Sequence, residues 1–396
     1  MTWIETLLKQ TEEVESPERF VFWTGLACIA AALRKNVWLD QQIYKLYPNI
    51  YVFNTGPSGV RKGVPAAIAA RLLTKSNCTR VISGRNSIQA VLRDLGRAYT
   101  IEGGGVIHEA QGILLTGELS SFLVEDTAVF KILIDLYDSC YHEGEFKYSL
   151  KSATDTLKEP CFSMLASTNE PLFAEAVPQF AHTGGFLART FVVNETKRRC
   201  INDLMDPLLV QLDIDGLASY LVDVNKLRGK VKLNNAAKKL YKDWYKTLST
   251  KKIEDKTGTT ERIHDQALKV AMLLAVSDNL SMVIKEDHMQ KALDVARACL
   301  HDVRRLVLGQ GTTPIAKQTA VVLGMILKRE DYQMTRQKLL QRGWGEFDAY
   351  ELDRIVETLV QADAITISKV GRDTVYKMTQ SAVDEFVRCK EEVVDA

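Results

Sequence analysis

The feature that most limits how this chain can fold is "NIYVFNTGPSGVRKGVPAAIAARLL" at residues 49–73. A β-branched and aromatic run breaks on a glycine-rich turn and passes at once into a helix-forming segment. Pro65 falls in the first helical turn, where a missing N–H costs little. Strand, tight turn and helix in immediate succession make half of a β-α-β unit, which demands a second strand parallel to the first.

The alternation continues downstream. "TRVISG" reads as strand, "NSIQAVLRDLGRA" as helix, "GILLTG" as strand and "ELSSFLVEDTAVFKILIDLYD" as helix. "EFKYSLKSATDTLKEPCFSMLASTN" predicts a hairpin leading into a buried strand, and "GGFLARTFVVNE" adds one more. Strands alternating with helices imply an α/β core, a parallel sheet with helices on both faces. Ahead of it, residues 2–35 read as two helices, the second opening cap-like on Ser16, Pro17 and Glu18. The extended "NVWLDQQIYKLYPNIYVF" leads in to the core.

Beyond residue 202 the pattern is wholly helical, most clearly in "TERIHDQALKVAMLLAVSDN" and "KEDHMQKALDVARACLHDVRRLV". "GQGTTP" at 309–314 breaks it. Three short helices follow in "IAKQTAVVLGMILKRED", "TRQKLLQRG" and "FDAYELDRIVETLVQADA", then two strands in "ITISKVGRDTVYKMT" around a Gly371-Arg372-Asp373 turn. Three helices and a hairpin make a winged helix-turn-helix arrangement. The expected divisions are 1–48 (N-terminal helices and lead-in strand), 49–202 (core), 203–308 (helical lid), 312–380 (winged helix) and 381–396 (tail).

Composition bounds the function. With 51 basic and 50 acidic side chains the net charge is +1, so contact with nucleic acid has to come from local patches and not from a global field. Seven scattered cysteines contain no C-x-x-C, which indicates neither a disulfide framework nor a zinc module and fits a reducing, cytoplasmic setting. No apolar run approaches the roughly 18–20 residues of a membrane span. The N-terminal "MTWIETLLKQTEEVESPERF" lacks the basic flank and apolar centre of a signal peptide.

The turn "GPSGVRKG" lies close to the phosphate-binding pattern G-x-x-x-x-G-K-[ST]. Gly56, Pro57, Ser58, Gly59, Val60, Arg61, Lys62 and Gly63 fill its eight positions, with Arg61 for the second glycine and Gly63 for the hydroxyl residue. Such a loop works because backbone N–H groups at a helix N-terminus converge on an anion and a lysine adds charge. Gly63 cannot ligate Mg²⁺, and Arg61 either points away from the nucleotide or adds a second cation. Ser58 and Thr55 offer other hydroxyls.

Three more features stand at element edges. Glu118, after the apolar "GILLTG", is placed to polarise water or hold a metal, or else simply caps the next helix. The usual preceding aspartate is Gly117, so Mg²⁺ would lean on water and phosphates. Asn169, ending "CFSMLASTN", orients an attacking water or forms a turn before Pro171. Arg189 enters a strand after a double glycine, and alone reads as a surface residue. The four features follow one another at roughly 55, 50 and 20 residues, all expected on the ligand-binding side of one sheet.

At this point the chain resembles AAA+ ATPases, and more narrowly the phage and plasmid primase-helicase group related to minichromosome-maintenance (MCM-like) helicases. The likeness spans about residues 17–305 and is carried by "FVFWTGLACIAAALRKNVWLD", "LYPNIYVFNTGPSG", "LLTGELSSFL", "FSMLASTNEP" and "GFLARTFVV". The resemblance implies ATP and Mg²⁺ as cofactors, Lys62 as the Walker A lysine, Glu118 as the Walker B glutamate and metal residue, and Asn169 as sensor 1. It makes Arg189 an arginine finger reaching the neighbouring subunit's nucleotide, and Arg262 a lid arginine on phosphate, with Lys269 further along its helix. The hairpin lysines Lys147, Lys151 and Lys158 fall where such helicases contact DNA, or else protect a sheet edge.

In the winged segment the third helix is acidic, carrying Asp348, Glu351, Asp353 and Glu357 against Arg354, which argues against its entering a major groove. The wing residues Lys369 and Arg372 are left to touch DNA backbone, unless the wing packs within an oligomer or binds a partner. No primase or zinc module is recognisable, so primer synthesis would belong to a separate protein. The expectation is a homo-oligomeric, hexameric helicase or translocase on single-stranded or forked DNA in the replication of a phage or mobile element, with a separate primase or origin-binding protein as a further partner. It would act in the cytoplasm of a bacterial host. Two rivals stand beside it: an ATP-binding but hydrolysis-poor helicase loader or origin-binding scaffold, and a winged-helix DNA-binding regulator.

Overall fold

Strands buried on both faces are built mainly of apolar residues, and four segments of this chain follow that rule, with polar residues chiefly towards their ends. In the computed structural model Tyr51–Thr55 (β1), Gln111–Thr116 (β3), Cys161–Thr168 (β4) and Thr190–Asn194 (β5) are buried at every position, whereas Arg80–Ser83 (β2) alternates towards solvent as an edge strand does. The five form one all-parallel sheet in the order β5-β1-β4-β3-β2. The structure describes the chain apart from residues 42, 85–86, 102–103, 118–127, 142–144, 150–153, 172, 174–184, 203–211, 251–257, 309–313, 330, 372 and 385–396.

The chain divides into two units, Met1–Val303 and Arg304–Ala396. In the first, the helices are Trp3–Gln10 (α1), Glu18–Leu33 (α2), Gly63–Ser76 (α3), Ile88–Gly96 (α4), Ala128–Asp138 (α5), Ile214–Lys226 (α6), Asn235–Thr250 (α7), Thr259–Ser277 (α8) and Glu286–Leu308 (α9). Every residue of α2 from Phe20 to Leu33 is buried, because a helix apolar all round has no face to give to water. It packs against one face of the sheet, where Trp23 meets Phe191 of β5 at 4.4 Å between ring centroids. On the other face, Tyr51 meets Tyr137 of α5 at 4.9 Å and Phe53 meets Phe186 at 5.8 Å. Such aromatic pairs add about 1 kcal/mol each beyond their buried area.

Two short strand pairs correct the expectation that 203–308 is wholly helical. Gly229–Lys230 pairs in parallel with Val37 and Trp38 of the strand Val37–Gln41, and Lys232–Leu233 pairs with Val283–Ile284. Between them Val231 is buried and its amide donates to the Trp38 carbonyl at 2.7 Å, so a segment too short to signal itself in sequence is fixed by partners far along the chain.

The second unit holds Pro314–Leu327 (α10), Arg336–Gly343 (α11) and Ala349–Gln361 (α12) with strands Ile365–Val370 and Asp373–Met378. A third strand, Gln333–Thr335, joins them antiparallel on the other side of Asp373–Met378. Its own core gathers Val322, Ile326, Leu339, Leu352, Ile355 and Tyr376. No helix among the described residues is long and apolar enough to cross a membrane.

Candidate nucleotide site

The loop from Gly56 to Lys62 leaves the C-terminal end of β1 and enters α3 at Gly63. Gly56 is obligatory, since a Cβ there would stand 2.1 Å from the Glu195 carbonyl oxygen. Gly59 takes φ +88° and Arg61 takes φ +64°, both in the left-handed region. Arg61 therefore keeps the backbone conformation that glycine usually supplies at its position, at a cost of about 1 kcal/mol for an L-residue. No side chain caps the start of α3, and Gly63 faces open space. The loop and the helix N-terminus so form a cradle of backbone donors suited to an anion. The Lys62 ammonium reaches back to the Gly56 and Pro57 carbonyls, each at 2.7 Å.

Of the two positions open to Arg61 from sequence, the structure takes the outward one. Its guanidinium Nε donates to Glu15, a buried carboxylate in the turn between α1 and α2. Arg198 also lies on Glu15, with Nη1 at 3.0 Å from Oε1, while its Nε donates to the Gly59 carbonyl at 2.9 Å. The Arg61 contact, then the Asn202 amide and Arg198, hold the Glu15 carboxyl below its ordinary pKa against the opposing effect of burial. None of this was visible in the sequence. Glu15 stands in a polar run with no pattern, and the only sign of Arg198 was a basic "KRR" directly after a strand.

Topology brings the next candidate in. Because β4 lies between β1 and β3, Thr168 stands level with Thr55, and Asn169 emerges beside the loop. Ser167, one residue earlier on the opposite face, donates its hydroxyl to the Lys62 carbonyl at 2.9 Å. Gly117 follows the end of β3 on the same sheet edge, with no described residue within 4 Å of where a Cβ would stand. Glu118 lies outside the described residues, as do Lys151 and Arg372.

Arg189 does not join this group, which corrects the expectation that all four features share one edge. It precedes β5, whose first residue Thr190 is level with Tyr51 at the start of β1. A five-residue strand is about 16 Å long, so Arg189 stands at the edge opposite its own phosphate loop. There it is buried, with Nε 2.9 Å from Asp138 Oδ1, Nη2 on Oδ2 and Nη1 donating to the Gly185 carbonyl at 2.8 Å. Arg262, in the first turns of α8, approaches the same carboxylate at 3.8 Å and is half exposed. Lys269 is no solvated residue: fully buried, it donates to the Asn49 carbonyl (2.8 Å) and Oδ1 (2.7 Å) and lies 4.1 Å over the Tyr137 ring.

Lys147 and Lys158 stand on the antiparallel pair Glu145–Ser149 and Thr154–Lys158. Opposite Lys158 is Glu145 and opposite Lys147 is Thr156, so both lysines occupy one exposed face while Leu157 on the other is buried. In the second unit Lys369 is exposed on the strand Ile365–Val370. The acids of α12 have local explanations. Asp348 caps the helix through the amides of Tyr350 and Glu351 at 2.8 Å, Glu351 returns the bond, and Asp353 pairs with Arg336 through both oxygens.

Among the described residues, those around the loop fit a polyphosphate but offer Mg²⁺ few side-chain ligands. Gly63 and Gly117 carry no ligand atom, Thr55 turns its hydroxyl to the Val193 carbonyl, and the described residues hold no cluster of three or more His, Cys, Asp or Glu suited to a metal. No protein-family model matches the chain, and no curated protein is similar to it at a significant level.

Proposed function

We propose that the first unit is an AAA+ nucleotide-binding core with its helical lid, the second a winged-helix domain, and the whole an oligomeric, hexameric ATP-driven helicase or translocase acting on DNA in the replication of a phage or mobile element. The observation that carries the reading is the loop Gly56–Lys62, with its left-handed turn, uncapped helix N-terminus and lysine, on the strand that neighbours the one ending in Asn169. On this reading the amides at the start of α3 bind the phosphates of ATP, and Lys62 gives up its two carbonyls to join them. Glu118 accepts a proton from the attacking water and Asn169 orients that water. Arg189, too far from its own loop, serves a neighbouring subunit, and the hairpin lysines Lys147, Lys151 and Lys158 meet the DNA strand.

Gly63 and Gly117 favour a second reading, an ATP-binding loader or origin-binding scaffold that turns over little. ATPase measured with and without single-stranded DNA, beside Lys62→Ala and Glu118→Gln, separates the two. DNA-stimulated turnover abolished by both substitutions is the motor's result; ATP binding without turnover is the scaffold's. Particle mass by mass photometry with ATP present tests the hexamer.

A further inference from the structure

Two cations flank the phosphate loop, and only Lys62 belongs to the motif. Arg198 is fixed at the loop by two of its nitrogens, Nε on the Gly59 carbonyl and Nη1 on Glu15. Its Nη2 has no acceptor among the described residues and lies beside the loop, 3.7 Å from where a Cβ of Gly59 would stand. The segment that carries it is anchored in turn, because the Glu195 amide donates to the Thr55 carbonyl at 3.1 Å. Glu15 cannot neutralise both guanidinium groups it holds. Arg61 and Arg198 on a single carboxylate leave an excess positive charge next to Gly59.

That excess has a use. A triphosphate brings several negative charges, which a phosphate loop commonly shares with a metal held by the hydroxyl after its lysine and by a strand-end aspartate. Both positions here are glycines, and no described residue lies within 4 Å of a Cβ added at either. A guanidinium is planar, always charged and matched to phosphate oxygens, so it can meet the same charge without a metal.

We propose that Arg198 is a phosphate-binding residue supplied by the same subunit, oriented by Glu15, and that it makes nucleotide binding largely independent of Mg²⁺. This rests on the nucleotide-binding reading of the loop. Glu15 is a positioning residue: it aims Arg198 and, through Arg61, holds the turn.

The test is calorimetric titration of the full chain with ATP, in Mg²⁺ and in EDTA, for the wild type and for Arg198→Ala, Arg198→Lys and Lys62→Ala. The wild type is expected to bind ATP in EDTA within about threefold of its affinity in Mg²⁺. Loss of one charge-assisted contact predicts about tenfold weaker binding in EDTA for Arg198→Ala, with a smaller loss in Mg²⁺ and partial recovery in Arg198→Lys. A role confined to shaping the loop would weaken both conditions equally. Equal losses, unchanged binding by Arg198→Ala, or an absolute need of the wild type for Mg²⁺ would each overturn the inference while leaving the loop's role intact, provided that Lys62→Ala abolishes binding. Unchanged binding by Lys62→Ala, or no binding of ATP by the wild type, overturns the nucleotide reading and this inference together.

Discussion

Asp138 receives Arg189 through both carboxylate oxygens and Arg262 through one, so a single acid at the end of α5 holds two arginines of very different exposure. The Arg189 side chain is 7% exposed and that of Arg262 46%. Arg189→Ala removes a buried side chain with its bonds to Asp138 and to the Gly185 carbonyl, and is expected to cost about 2–3 kcal/mol. Arg262→Ala should cost within about 0.5 kcal/mol, as a half-exposed pair at long range contributes little. Urea denaturation of both variants checks this; equal losses would show that Asp138 does not rank its partners by burial.

A finger role for Arg189 adds a condition. To serve a neighbour's nucleotide it must first leave Asp138, so Asp138→Asn, which weakens the hold and keeps the shape, should raise activity at subsaturating protein concentration. Turnover measured against protein concentration tests it, and an unchanged curve would argue for a purely structural arginine.

Glu15 gives a pH signature. Its pKa is lowered in the folded chain, chiefly by Arg61, so its contribution to stability is fully present above the unfolded value of about 4.3 and fades as pH falls through the lower folded value. Glu15→Gln should therefore melt below the wild type at pH 7, and the gap should close under acid conditions where both carry a neutral side chain. Melting curves from pH 3 to 7 decide it; a constant gap would mean that the charge of Glu15 is not what matters.

At Gly63 and Gly117 the expected outcome is tolerance. A Cβ meets no described residue within 4 Å at either position, and neither glycine adopts a positive φ. Gly63→Thr and Gly117→Asp should each change stability by less than about 1 kcal/mol. The double variant should bind ATP more tightly in Mg²⁺ than in EDTA, a difference not expected of the parent chain if Arg198 acts as proposed. Titration in the two buffers reads it, and identical affinities would show that these glycines are not where a metal would sit.

Gly56 is the contrast. A methyl group there would stand 2.1 Å from the Glu195 carbonyl oxygen, so Gly56→Ala forces backbone apart and is expected to cost about 2 kcal/mol or more and to abolish nucleotide binding. Denaturation and titration of this one variant check both parts. Normal binding would mean that the turn can open without harm to the loop.

The elements that sequence exposes best are those whose signal is local. "YVF", "ILL", "MLA" and "FVV" are short apolar runs at the centres of their strands, and burial on both faces of a parallel sheet is what such runs require. The turn at Gly56–Lys62 was likewise legible, because its glycines and lysine fall within seven residues of one another. What stayed hidden depends on partners far away in the chain. Glu15 meets residues 46 and 183 positions onward, and Lys269 finds Asn49 at a separation of 220. Arg189 was grouped with the wrong edge although sequence already shows it entering its strand: the other three features follow the ends of theirs, and in a parallel sheet a residue that precedes a strand lies at the opposite edge. Strand direction, and not composition, decides which end of a parallel sheet a residue occupies.

The insertion of β4 between β1 and β3 also governs how the molecule comes into being. Neither strand that flanks the loop's own strand is made until more than a hundred residues after it, since β4 begins at Cys161 and β5 at Thr190. During synthesis the glycine loop thus waits with both neighbours of β1 still missing, and its apolar strand has nothing native to pair with. Long-range parallel pairing of this kind is slow, because loop closure comes before any reward in contacts. The surroundings of the loop are consequently among the last parts of the sheet to be assembled, and the interval before β5 emerges is when its unpaired strand is most open to misassociation.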